Sequence, residues 1–136
     1  MPAASDADIQ TKADQRLAEI AARPDIEPAL ADFLRETIAV SLEYKVRATE
    51  EGKKRTLDDQ VLNAKATRER LCTRDGQGRW APGSLLTTMR DLSVNELAKD
   101  MLKDKQVDDE ATAAVVAGRM LTAIETKLCQ GKQASG

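Results

Sequence analysis

Apolar residues return at intervals of three and four from Ile9 onward, and Ile9, Ala13, Leu17, Ile20 and Ala21 trace one face of a first helix. Ser5 with Asp8 reads as its capped start, and Pro24 sets its limit. Asp25 is placed to cap a second helix, with Pro28 tolerated in the first turn. Its main stripe is Ile26, Leu30, Leu34, Ile38 and Leu42, and Phe33, Val40 and Tyr44 extend the apolar surface to another side. Carried on to Glu51, just before Gly52, this helix is expected to reach roughly 25 residues and about 38 Å.

Thr56 with Asp59 repeats the capping pattern, and Leu57, Val61, Leu62 and Leu71 mark a third helix. The helical period then stops. Asp75-Gly76-Gln77-Gly78 favours a tight turn, so residues 72–83 read as a short loop or as a mini-hairpin between Cys72 and Ala81. A brief apolar turn follows over 84–92. Ser93 and Glu96 form a capping box ahead of Val94, Leu97, Met101 and Leu102, and Asp108 is placed to cap a last helix carrying Val116, Met120, Ile124 and Leu128. The tail over 129–136 is polar and expected to fray. The pattern predicts one all-α domain over 1–136, a bundle of five or six helices around a long second helix. A three-helix part (6–71) is linked through a joint (72–83) to C-terminal helices (84–128) that end in a helical hairpin.

Composition makes the core lean. Alanine occurs 21 times, whereas Leu, Ile, Val and Phe together number 27, so small side chains must sit at close contacts. The net charge of −2 conceals an uneven distribution: residues 1–44 carry −5, residues 45–83 carry +4 and residues 84–136 carry −1. A basic middle third attracts either phosphate or the acidic first third of the same or a neighbouring chain. The opening MPAASDAD is acidic and does not read as a signal peptide, and no run approaches the ~18 apolar residues of a membrane span. Two cysteines 57 positions apart do not suggest a disulfide framework, so Cys72 and Cys129 are expected to be free thiols in a cytoplasmic protein.

Several chemistries lose their usual residues. Histidine is absent, which removes the commonest proton shuttle and metal ligand. Gly76-Gln77-Gly78 is followed by no GK[ST], so it is not a phosphate-binding loop. Asp58-Asp59 and Asp108-Asp109-Glu110 fall in first turns, where helix starts favour negative charge without catalysis. Two thiols cannot complete a zinc site, and Cys72, though flanked by Arg70 and Arg74, reads as structural. No enzyme, cofactor or metal is expected.

Two binding classes remain. The two-sided second helix predicts a non-catalytic interaction or regulatory protein that self-associates through Phe33, Ile38, Leu42 and Tyr44 and also meets another protein. The alternative is an accessory DNA- or RNA-binding protein using Lys53, Lys54, Arg55, Lys65, Arg68, Arg70, Arg74 and Arg79; Trp80, beside Pro82, reads first as an anchor of its loop on the core and second as a platform for stacking on a base. SVNELAKDML, a turn, and DEATAAVVAGRML also resemble a helix-turn-helix, which implies a second helix read against the major groove. The residues that would meet the bases there are Asp109, Glu110, Ala111 and Thr112, and the two acids oppose phosphate.

Overall fold

The computed structural model describes residues 6–130 and is mostly helical, as the apolar spacing predicts. In chain order the elements are α1 (Asp6–Ala21), α2 (Pro28–Tyr44), α3 (Glu50–Lys53), α4 (Leu57–Leu71), strand β1 (Cys72–Arg74), strand β2 (Trp80–Pro82), α5 (Ser84–Thr88), α6 (Arg90–Lys103) and α7 (Glu110–Ala123). A π-helical turn, Ile124–Leu128, continues α7. The helix start expected at Ser5 and the tail from 131 lie outside the described residues.

The long second helix is shorter than its pattern suggests. Lys45 adopts a left-handed conformation (φ 53°, ψ 45°), and Val46 N–H bonds back to the Ser41 carbonyl, closing α2 at Tyr44. Tertiary contacts explain the stop. Val46 turns into the core, and Arg47 N–H donates to the Gln106 carbonyl, so residues 45–49 lie against the α6–α7 connection. Gly52 therefore falls inside a separate turn, α3, whose N-cap Thr49 hydroxyl accepts from Gly52 N–H and which runs on to Lys53. Asp25 does not cap α2: it pairs with Arg23, and Pro28 supplies the pre-set first turn after Glu27.

Caps elsewhere follow the sequence in part. Thr56 and Asp59 make the reciprocal capping box of α4. Ser93 and Glu96 instead lie inside α6, which starts at Arg90; Arg90 is fixed from α7 and the π-turn by Thr122 and Glu125. Asp109, not Asp108, caps α7 by accepting from Thr112 N–H, because Asp108 is taken by Arg47.

Burial divides into two clusters along α2. Ile20, Leu30, Leu34, Leu57, Leu121 and Leu128 belong to one, and Val40, Val46, Met101, Val107 and Val116 to the other. Ala113 and Ala117 are fully buried on α7, the small side chains that a lean core needs where helices approach closely. The mini-hairpin forms in antiparallel register, Cys72 opposite Pro82 and Arg74 opposite Trp80.

The cysteines depart from expectation, since Cys72 and Cys129 are joined in a disulfide. The π-turn ends with Cys129 N–H bonded to the Ile124 carbonyl, and Leu128 and Cys129 are both fully buried, so the chain does not fray there. This brings the Cys129 Cα to 5.4 Å from that of Cys72, inside the range a disulfide spans. Spacing in sequence carried no sign of that approach. For the 57-residue separation, loop-closure entropy gives a stabilisation of about 4 kcal/mol. Replacing both cysteines by serine should lower the urea midpoint accordingly, and the wild-type protein denatured without reductant should show no titratable thiol; two thiols would contradict the cross-link.

Candidate functional site

The basic middle third does not form one surface. Arg68 occupies the apolar stripe of α4, four residues after buried Ala64 and eleven after Leu57, and is itself buried. Its guanidinium pairs with Glu27 at 2.8 Å, both side chains being at most a tenth exposed, and lies 4.7 Å from the centroid of the Trp80 ring. Arg74 lies over the same ring at 4.4 Å and also pairs with Glu69. Trp80 is buried, so it anchors the hairpin and does not offer a face for stacking. At the hairpin tip the Asp75 carboxylate accepts from Arg79 N–H, Gln77 N–H and the Arg79 guanidinium. Those donors, the Arg79 amide foremost, hold Asp75 below the usual carboxylate range. Lys53 pairs with Glu50. Lys54, Arg55, Lys65 and Arg70 are exposed without an ion pair among the described residues, but Lys65 and Arg70 stand five residues apart, roughly 140° around α4.

The residues expected to mediate self-association also separate. Phe33 and Ile38 pack against the first cluster, and Tyr44 packs against the second with the Arg119 guanidinium over its ring. Arg119 is held in turn by Glu43 and Glu36 of α2. The second apolar side of α2 is thus largely consumed within the chain. Ile38 and half-buried Leu42 retain a further role, because both line a groove of about 970 Å³.

This groove runs between α1 and the α2–α3 region. Ile9, Lys12, Ala13, Arg16 and Glu19 line it from one face of α1, while Ile38, Leu42, Val46, Leu102 and Val107 supply apolar surface opposite. Among the described residues of α1, Ile20 alone is buried. The helix is therefore fastened near its C-terminal end and leaves the groove open along the rest. Arg47 spans the far end: its guanidinium bonds the Lys105 carbonyl and Asp108, and the Arg47 bond holds the Asp108 carboxyl below its usual range. The surface combines apolar walls with fixed charges, suited to recognition. Among the described residues no Cys, Asp and Glu grouping is placed to hold a metal ion.

A second exposed feature escaped the sequence reading. Leu85, Met89 and Leu92, spaced four and three apart along α5 and α6, are each at least two-fifths exposed. The α6–α7 pair packs closely, and the first residues of α7 are spent on the Asp109 cap, with Glu110 and Ala111 exposed beside it. No protein-family model, curated protein or solved structure matches this chain.

Two predictions follow from the hairpin and its anchor. Glu27→Ala, which strands the buried Arg68 cation, should destabilise the fold by roughly 3 kcal/mol or more, whereas Asp25→Ala, at an exposed pair, should change the unfolding midpoint little; equal effects in urea titration would contradict the burial of the Arg68–Glu27 pair. The Asp75 value is depressed on folding, so its contribution is fully present above the ordinary carboxylate range and is lost as pH falls below that range through the lower folded value. The amide NMR signals of Gln77 and Arg79 should titrate with a midpoint below that of an ordinary aspartate and stop titrating in Asp75→Asn.

Proposed function

We propose that this chain is a non-catalytic interaction protein whose recognition surface is the α1–α2 groove. The observation that carries the reading is that Ile38 and Leu42, on the flank of the central helix, face a volume of about 970 Å³ that the chain leaves uncovered. Apolar walls with charged rims are what a helix-in-groove contact uses.

Self-association through the four α2 residues has less support, because Phe33 and Tyr44 are engaged in the core clusters. The nucleic-acid alternative retains four exposed cations, Lys54, Arg55, Lys65 and Arg70, but no shared face on α4 to align them along a phosphate backbone.

No helix among the described residues is long and apolar enough to cross a membrane. The buried disulfide supports maturation under oxidising conditions in place of the reducing cytoplasm expected from the sequence.

Leu42→Glu tests the reading. The substitution places a charge at a half-buried position and should cost about 1 kcal/mol of stability, yet abolish capture of amphipathic helices selected on wild-type protein from a displayed library of random helical peptides. Selected peptides that bind the variant equally would remove the groove from the reading. A concentration-dependent dimer in the ultracentrifuge that Leu42→Glu dissociates would make a second copy the occupant.

A further inference from the structure

The charges around the groove identify the kind of helix it accepts, if the groove is the recognition surface proposed above. Its lining contains three carboxylates, and each already has a cation. Glu19 pairs with Arg16 at 3.6 Å, Glu50 with Lys53 at 3.1 Å, and Asp108 with Arg47 at 2.6 Å. Lys12 and Lys105 also line the groove, and neither ammonium has an ion pair or hydrogen bond among the described residues. They come from different walls, Lys12 from α1 and Lys105 from the α6–α7 connection. The Lys105 backbone is tied on both sides, its N–H to the Leu102 carbonyl and its own carbonyl to the Arg47 guanidinium, so the free ammonium projects from a fixed turn.

The dimensions specify a helix. The lining stretch of α1 runs from Ile9 to Glu19, about 15 Å of helix axis, which matches three turns of a helix laid beside it. An occupant with an apolar stripe would cover Ile9, Ala13, Ile38, Leu42 and Leu102, and acids on its two flanks would meet the two unpaired ammoniums.

We propose that the groove takes an acidic amphipathic helix of another protein, with Lys12 and Lys105 as the rim cations that select its charge. All three lining acids are neutralised within the chain, and the surplus is positive on both walls. An acidic helix gains at the rim where a basic one is repelled, which fixes both specificity and encounter rate.

The test uses the full chain and a displayed library of helical peptides, each roughly 16 residues, with apolar residues fixed at i, i+3, i+4 and i+7 and all other positions random. Peptides that bind wild-type protein but not Leu42→Glu should be enriched in Asp and Glu. The double variant Lys12→Glu/Lys105→Glu changes side chains outside the core, so it should keep the wild-type circular dichroism. It should weaken the acidic peptides by about tenfold or more, and by less at high salt. Reselection on that variant should shift the enriched set towards Lys and Arg. Groove-dependent peptides that are neutral or basic on wild-type protein would overturn the acidic partner while leaving the interaction reading intact. An empty selection would overturn both. Binding to vesicles of anionic phospholipid that requires Lys12, Lys105 and Leu42, in preference to any peptide, would make a lipid the occupant and likewise overturn the proposal.

Discussion

The crossing of α2 and α7 holds the structure together. These two helices supply buried residues to both apolar clusters, Leu30, Leu34 and Val40 from one and Val116 and Leu121 from the other. α7 brings small as well as branched side chains into the interior, since Ala113 and Ala117 are completely enclosed. In a chain with few large apolar residues, close helix approach replaces bulk, and dispersion across many short contacts replaces a few large buried surfaces. Arg119 clamps the edge of the same crossing, reaching Glu36 and Glu43 while lying over Tyr44. Enlarging the side chain at Ala113, which is completely enclosed in the second cluster, would overpack that cluster.

The rest of the fold hangs on that axis from two sides. α1 and α4 close one end through Ile20, Leu57 and Ala64, and α6 closes the other through Met101. The hairpin reaches the core through Cys72, cross-linked to Cys129, and through one buried aromatic, Trp80, set against the Arg68–Glu27 pair. Charges taken out of water at that depth stabilise only as a matched pair. The anchor is therefore specific about its partners in a way that an aliphatic plug would not be.

What the amino-acid pattern revealed is what depends on local periodicity. The helical segments, the Thr56 capping box and the Asp-Gly hairpin were legible because each is set by residues within a turn or two of one another. The end of α2 was not, since the pattern continues past Tyr44 and the stop comes from Val46 entering the core and from Arg47 joining the α6–α7 connection. Arg68 was legible in principle: it falls on the stripe of Leu57, Val61 and Ala64, which marks it as inward-facing despite its charge. The cysteine pair and the groove were not, because both are made by segments brought together only in the folded chain. Of the groove's residues, Ile38 and Leu42 were singled out in advance for a contact. Ile9 and Ala13 of the α1 wall lie on the apolar face that the spacing marks, whereas Lys12 and Lys105 carry no sequence signal distinguishing them from any solvated helix face or loop.

The covalent ring closed by Cys72 and Cys129 contains the whole hairpin, α5, α6, α7 and the π-turn. A protease that cuts one exposed bond within that ring, at the tip near Gly76 or between α6 and α7, opens a loop but releases no fragment. Both products stay tethered through a bond that is itself out of solvent. Nicked molecules would run as intact chain until reduced, and the two halves would remain at high effective concentration for one another. The same ring excludes the part of the chain that builds most of the groove: α1, α2 and α3 lie on the open N-terminal arm. A cut in that arm is the one that can shed a wall of the groove altogether.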